Sequence, residues 1–252
     1  MKKTLLVLTT AAALAFGGEQ FSMSDADRAM YAEMLEANPA EINVAEGGEA
    51  FEANCGGEAG LAKFLGVSEE KLPEYIAGFP RYVEKLDRVV GLDQVMQAVM
   101  AENDQKPFAL KSGDMFAMLA YAKSLANEVP INIDVNANEH MKKAYALGEE
   151  VFKTKRGGRG LACYSCHNPG VVNGILRTQP LPDLGEANAG GTWPAYRMTK
   201  SSLRTLQRRF QGCMQNALLA VIPIGSEEMV ALEVYVTDMA KGKEIAIPGL
   251  KR

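Results

Sequence analysis

The sequence is short of several residue types, and each shortage narrows the possible functions. It contains two histidines, one tryptophan and four cysteines. Two histidines are too few for a histidine-rich metal centre. The formal net charge of -4 provides no general attraction to nucleic acid or to an anionic membrane surface, so neither is expected as a partner. Function is therefore expected from a local site.

Long hydrophobic runs are also missing, with one short exception at the N-terminus. Lys2 and Lys3 precede an apolar run over residues 5–16, and Gly17 and Gly18 follow it. This pattern is typical of a secretory signal peptide, whereas a membrane-spanning helix needs about 20 apolar residues. We predict a signal peptide over residues 1–18, export to the periplasm and no membrane span. An amphipathic or buried first helix is the alternative.

The strongest motif is C-Y-S-C-H, from Cys163 to His167. Its spacing lets Cys163 and Cys166 reach the two vinyl groups of one haem while His167 ligates the iron. A redox disulfide or half of a zinc site are the alternatives. Zinc would need two further ligands, and the preceding residues 139–155 have the periodicity of a helix, not of a strand. The motif therefore predicts one covalently attached haem c.

Four sequence matches in the same order indicate two copies of one domain. The matched segments are 47–51 with 148–152, 79–82 with 193–196, 88–92 with 209–213, and 121–126 with 235–240. The first copy has only Cys55 near the expected haem position, and Leu92 stands where the match places Cys213. Cys55 is expected to be a buried thiol, with a disulfide to another chain as the alternative.

These matches predict an all-α protein with two cytochrome c-like domains, of which only the C-terminal one binds haem. The haem-free domain is expected over residues 19–127 and a linker over 128–138. The haem-binding domain is expected over residues 139–252.

The second axial ligand of the iron has two kinds of candidate. Methionine is usual in small cytochromes c, which favours Met198 or Met214. The alternative is Cys213, whose thiolate form would be favoured by Arg209 one helical turn away and by Arg208 nearby. Both remain open from spacing alone.

The assembled pattern resembles the SoxA family, the larger cytochrome subunits of the SoxAX complex of bacterial sulfur oxidation. The shared features are an exported duplicated cytochrome c, the C-x-x-C-H motif, G-G-T-W-P at residues 190–194 and R-R-F-Q-G-C-M-Q at residues 208–215. The resemblance covers essentially the whole mature chain, within the single-haem group. It implies that His167 and Cys213 ligate the iron, Cys213 often as a persulfide, and that Arg209 lies in the active site. Single-haem members can carry an N-terminal disulfide, which Cys55 alone cannot form.

The resemblance also implies the activity of an L-cysteine S-thiosulfotransferase. Such an enzyme joins thiosulfate oxidatively to a cysteine of the carrier protein SoxYZ, with haem accepting electrons and a second haem on the partner SoxX. Arg209 is expected to hold thiosulfate, because guanidinium offers paired donors to oxyanions. Arg197, Arg208 and Lys200 are weaker candidates. The alternatives are a non-enzymatic electron-transfer cytochrome c and a tetrathionate-forming thiosulfate dehydrogenase, although this chain lacks the second haem of such dehydrogenases.

Overall fold

Helices make up most of the computed structural model, which describes residues 25–176 and 179–251. The predicted signal peptide lies outside these residues. Within them, no helix is both long enough and apolar enough to cross a membrane. The α-helices are α1 (Asp25–Glu36), α2 (Glu41–Cys55), α3 (Gly57–Leu65), α4 (Leu72–Ile76), α5 (Leu92–Glu102), α6 (Gly113–Ser124), α7 (Glu139–Lys153), α8 (Leu206–Ala217) and α9 (Glu227–Asp238).

Two helix pairs form the frame of the two halves, α2 against α6 and α7 against α9. A glycine allows the close approach in each pair. A Cβ on Gly47 would collide with the carbonyl oxygen of Ala117, and a Cβ on Gly148 would collide with that of Ala231. The match of these two glycines in the sequence therefore reflects the same helix crossing in each half.

An aromatic pair accompanies each crossing. The rings of Phe51 and Tyr121 lie 5.4 Å apart in the first half. Those of Phe152 and Tyr235 lie 5.2 Å apart in the second. Four helices thus repeat one arrangement, which supports the predicted duplication.

The all-α prediction is confirmed only in part, because the described residues are mostly helical but also contain three small sheets. The connecting segments pair their backbone groups over two or three residues instead of leaving them unsatisfied. Two sheets are antiparallel hairpins, and the third has the order β6-β5-β7, in which β5 and β7 are parallel. The strands are β1 (Arg81–Val83), β2 (Arg88–Val90), β3 (Ile175–Leu176), β4 (Gln179–Pro180), β5 (Ala195–Arg197), β6 (Ser202–Arg204) and β7 (Gly249–Lys251).

One of the four sequence matches is wrong in register. The hairpin β1–β2 leads into α5, which begins at Leu92, and the hairpin β5–β6 leads into α8, which begins at Leu206. Leu92 therefore corresponds to Leu206. The residue of α5 that corresponds to Cys213 is Val99, since each is eighth in its helix. The short match over R-x-x-G was misleading because it ignored the hairpin.

The larger core belongs to the first half but includes Leu203, Val234 and Ile247 from the second. The connecting residues 128–138 also pack against it, with Ile131 and Ile133 buried. Backbone amides of this segment donate to carbonyls of residues 243 and 245, which ties the two halves together. A second core, around Phe152 and Trp193, lies within the haem-motif half.

Cys55 is fully buried at the end of α2. Burial raises the pKa of its thiol to about 12. This confirms the expectation of a buried thiol. The alternative, a disulfide to another chain, is wrong because the sulfur has no access to a partner.

Candidate functional site

The C-x-x-C-H motif forms one compact turn. Cys163–Ser165 is a short 3-10 helix that follows the loop after α7. The backbone amides of Cys166 and His167 both donate to the carbonyl oxygen of Cys163, each at 3.1 Å. The amide of Ala162 donates to the Ser165 hydroxyl oxygen at 3.0 Å. The two thiols and the imidazole therefore come from one locally fixed segment.

The imidazole of His167 is oriented by a residue further along the chain. Its Nδ1 lies 2.9 Å from the carbonyl oxygen of Pro182, which can only accept, so Nδ1 carries the proton. Burial, opposed by this hydrogen bond, lowers the pKa of His167. With Nδ1 donating to Pro182, the Nε2 atom is the one that faces a metal. A histidine held in this way fits a proximal haem ligand.

The cysteine outside the motif lies on α8. The helix begins after Thr205, whose hydroxyl oxygen accepts from the amide of Arg208 at 3.3 Å. Arg209 and Cys213 are half-buried and lie one turn apart on the same face of this helix. The segment is helical throughout, so the one-turn spacing of this pair is as predicted.

Helix α8 and the motif share the second core, and their side chains influence each other's pKa. The pKa of Cys163 is raised to about 11, mainly by burial and then by Cys213, while Arg156 opposes the shift. Arg209 acts on His167, whose pKa it lowers further. Cys213 and Arg209 therefore lie within electrostatic range of the turn that presents Cys163 and His167.

The three weaker candidates for holding thiosulfate lie in different surroundings. Arg197, on β5, is buried and interacts electrostatically with both Arg209 and Cys213. Arg208 interacts with Arg204 instead. Lys200 is exposed. Only Arg197 joins the site.

Two residues of the site were missed in the sequence. Pro182 orients His167 through its backbone carbonyl, which no side-chain motif signals. Lys251 pairs with Arg197 across the parallel strands β5 and β7. Its proximity depends on the C-terminal segment returning to the sheet, and no local pattern predicts that return.

The methionine alternative for the second axial ligand stays a prediction. Met214 is 1% exposed and packs in the second core, and Met198 is half-buried in the turn between β5 and β6. The zinc alternative for the motif has no further support. No three His, Cys, Asp or Glu side chains cluster as a metal site in the part of the chain that the structure describes.

Comparison with known proteins gives one consistent result. The model of the family SoxA/TsdA, cytochrome c domain, matches residues 46–131 and 147–245. Similar curated proteins include the L-cysteine S-thiosulfotransferase subunit SoxA of Chlorobaculum thiosulfatiphilum, 27% identical over 94% of this chain and 80% of that protein. The subunit of the same name from Hydrogenophilus thermoluteolus is 28% identical over 87% of this chain and 85% of that protein.

A solved structure with the same fold is that of SoxXA from P. pantotrophus. It matches with a TM-score of 0.75 and 19% identity, over 89% of this chain and 84% of that chain. At this identity the likeness establishes the fold alone. The family model, however, covers most of the sequence and both halves of the duplication. The chain therefore belongs to the SoxA/TsdA cytochrome c domain family, whose cytochrome c domains bind haem c covalently.

Proposed function

We propose that this chain is the SoxA-type subunit of an L-cysteine S-thiosulfotransferase, which joins thiosulfate to a cysteine of a SoxYZ carrier protein. Relatives that match most of its length carry that enzyme name. One structural observation supports the proposal above others. On helix α8, Cys213 interacts electrostatically with Cys163 of the haem motif, and Arg209 lies one turn away on the same helix. A plain electron carrier has no need for a thiol and a guanidinium at this position.

The proposed cofactor is a single haem c in the C-terminal half. Cys163 and Cys166 would form the thioether links, His167 would be the proximal ligand and Cys213 the distal one. When bound, the haem supplies a one-electron acceptor next to the reacting sulfur atoms. The first half offers only the buried Cys55, and Val99 at the position of Cys213, so we propose that it binds none.

The proposed reaction forms one sulfur–sulfur bond. The terminal sulfur of thiosulfate joins the sulfur of the carrier cysteine, the thiol proton is released, and two electrons leave. The product is a carrier S-thiosulfonate. The guanidinium of Arg209 holds the sulfonate oxygens of the dianion by paired, charge-assisted hydrogen bonds. Cys213 directs the terminal sulfur, either as a sulfur relay or as a fixed ligand beside it.

The electron count requires a partner. The reaction releases two electrons, whereas one haem accepts one at a time. We propose that the second acceptor is the haem of a SoxX subunit bound to this chain. The signal peptide expected at residues 1–18 would place both subunits, together with SoxYZ, in the periplasm.

The ligand assignment is tested by electron paramagnetic resonance of the ferric protein beside a Cys213→Ala variant. We expect a low-spin thiolate signature in the wild type and its loss in the variant. A histidine–methionine spectrum that is the same in both proteins would contradict the proposed role of Cys213 and favour an electron carrier.

The reaction is tested by mixing the protein, its SoxX partner, thiosulfate and an electron acceptor with or without reduced SoxYZ. We expect mass spectrometry to detect thiosulfonate on the carrier cysteine, and acceptor reduction to depend on that thiol. Tetrathionate formed without the carrier would identify a thiosulfate dehydrogenase instead. Absence of both products would leave the electron-carrier function.

A further inference from the structure

The buried guanidinium of Arg197 lacks a complete set of hydrogen-bond partners. Its Nη2 donates to the Thr199 hydroxyl oxygen at 3.3 Å. Its Nη1 is buried and has no partner among the described residues. The whole side chain is only 8% exposed. A buried donor on a charged group is costly when it is unpaired, so this atom needs a hydrogen-bond acceptor.

A second buried cation lies next to it. Arg197 and Lys251 are Cα partners across the parallel strands β5 and β7, and such partners point to the same face of a sheet. Lys251 is 5% exposed. Ala195, two residues before Arg197, belongs to the second core, which Cys163 also contacts. Both cations therefore face the haem-motif side of the sheet.

The charges around this pair are mostly of one sign. Burial and then Arg209 lower the pKa of Arg197 to about 10, and Cys213 opposes the shift. Burial and then Arg197 lower the pKa of Lys251 to about 8. No carboxylate contributes to either shift among the described residues. Cations that are taken out of water in this way need an anion beside them.

We propose that Arg197, supported by Lys251, is an oxyanion-binding residue that works with Arg209 beside Cys213. Nη1 of Arg197 supplies the free donor, and the two guanidiniums hold the oxyanion between them. This inference rests on the proposed function. Two oxyanions have the required chemistry, the sulfonate of thiosulfate and a carboxylate of the haem.

The experiment uses the haem-loaded protein with Arg197→Gln, Arg197→Lys and a matched control, Lys200→Gln. Lys200 is an exposed cation three residues away in the same hairpin segment. Binding of sodium thiosulfate is measured by calorimetry at constant ionic strength, and the haem midpoint potential is measured across a pH series. Circular dichroism and haem content show whether each variant is folded and loaded.

For a substrate site, Arg197→Gln weakens thiosulfate binding at least tenfold and leaves the midpoint potential and its pH dependence unchanged. Arg197→Lys, which keeps the buried charge but loses the paired donors, gives a smaller loss. If the anion is instead a haem carboxylate, Arg197→Gln retains its affinity for thiosulfate and the pH dependence of the midpoint potential changes. Lys200→Gln alters neither quantity by more than twofold.

The proposal is overturned if Arg197→Gln and Arg197→Lys both bind thiosulfate like the wild type and both retain its potential at every pH. It is overturned also if the control variant shows the same loss as Arg197→Gln. Because neither measurement needs SoxYZ, failure of carrier conjugation in the wild type would refute the proposed function separately.

Discussion

Arg209 is the residue whose role is most directly tested by substitution. Arg209→Lys keeps the charge but replaces the planar fork with a single ammonium, which binds oxyanions less specifically. We expect kcat/KM for carrier conjugation to fall about 10- to 100-fold, which corresponds to about 1.5–3 kcal/mol for a hydrogen bond to a charged group. Steady-state kinetics with thiosulfate and SoxYZ measure this loss.

The matched control is Arg159→Lys. Arg159 is exposed in the loop before the haem motif. Its substitution should leave kcat/KM unchanged. Equal losses in the two variants would mean that general surface charge, and not Arg209 in particular, attracts the substrate.

Cys55 provides a prediction about reactivity. Its thiol is fully buried, and burial raises its pKa to about 12, so almost no accessible thiolate exists at neutral pH. We expect iodoacetamide to leave Cys55 unlabelled in the native protein and to label it after unfolding in denaturant. Peptide mass spectrometry gives the result. Rapid labelling of the native protein would contradict the burial of this residue.

At the scale of helices, Gly148 determines how closely α7 and α9 pack. A Cβ at this position would collide with the carbonyl of Ala231, and a backbone carbonyl cannot rotate away. We expect Gly148→Ala to lower the free energy of unfolding by about 1–3 kcal/mol, as overpacking does. Thermal unfolding of the haem-loaded protein followed by circular dichroism measures the change.

Gly113→Ala is the control for this substitution. Gly113 begins α6, and nothing lies within 4 Å of the position that its Cβ would occupy. Its replacement should leave the melting temperature unchanged or raise it slightly, since alanine favours helix. A similar decrease in both variants would show that the helix crossing is not the cause.

At the scale of the whole molecule, a largely buried cluster of charged and polar side chains joins the two halves. Asp93 and Lys123 come from the first half, and Glu233 and Gln207 from the second. Gln207 Nε2 donates to a carboxylate oxygen of Glu233 at 2.7 Å. Burial and then Glu233 raise the pKa of Asp93 to about 7. The contact between the halves therefore contains a carboxyl that titrates near neutrality.

The sign of the resulting pH dependence follows from proton binding. Between about pH 4 and pH 7 the folded protein keeps a proton on Asp93 that the unfolded chain has lost, so stability falls as pH rises. The shift from 3.8 to about 7 sets an upper limit of about 4 kcal/mol on this loss. We expect Asp93→Asn to be more stable than the wild type at pH 8 and similar to it at pH 4.

Urea unfolding of the haem-loaded protein at several pH values measures this difference. Asp104→Asn, at an exposed carboxylate, should keep the pH dependence of the wild type. If Asp93→Asn also kept it unchanged, Asp93 would not be the titrating group.

Some features of this protein follow from sequence because they depend on neighbouring residues. The turn from Cys163 to His167 is fixed by local spacing, and α7 and α8 follow from helical periodicity and a threonine or asparagine cap. The positions of Gly47 and Gly148 also revealed the duplication, because a close helix crossing accepts only glycine. The match of Leu92 with Cys213 failed because a short motif does not show which positions of two helices correspond. The hairpins that precede the two helices show it.

The other features depend on contacts between distant segments, which only the tertiary structure decides. Packing of α8 in the second core brings Cys213 within electrostatic range of Cys163, and the return of β7 places Lys251 beside Arg197. Burial then changes the chemistry of these side chains, since a cation in a low-dielectric site needs an anionic partner. The sequence by itself therefore predicted where a haem would attach, and the fold decided which thiol and which cations lie near that motif.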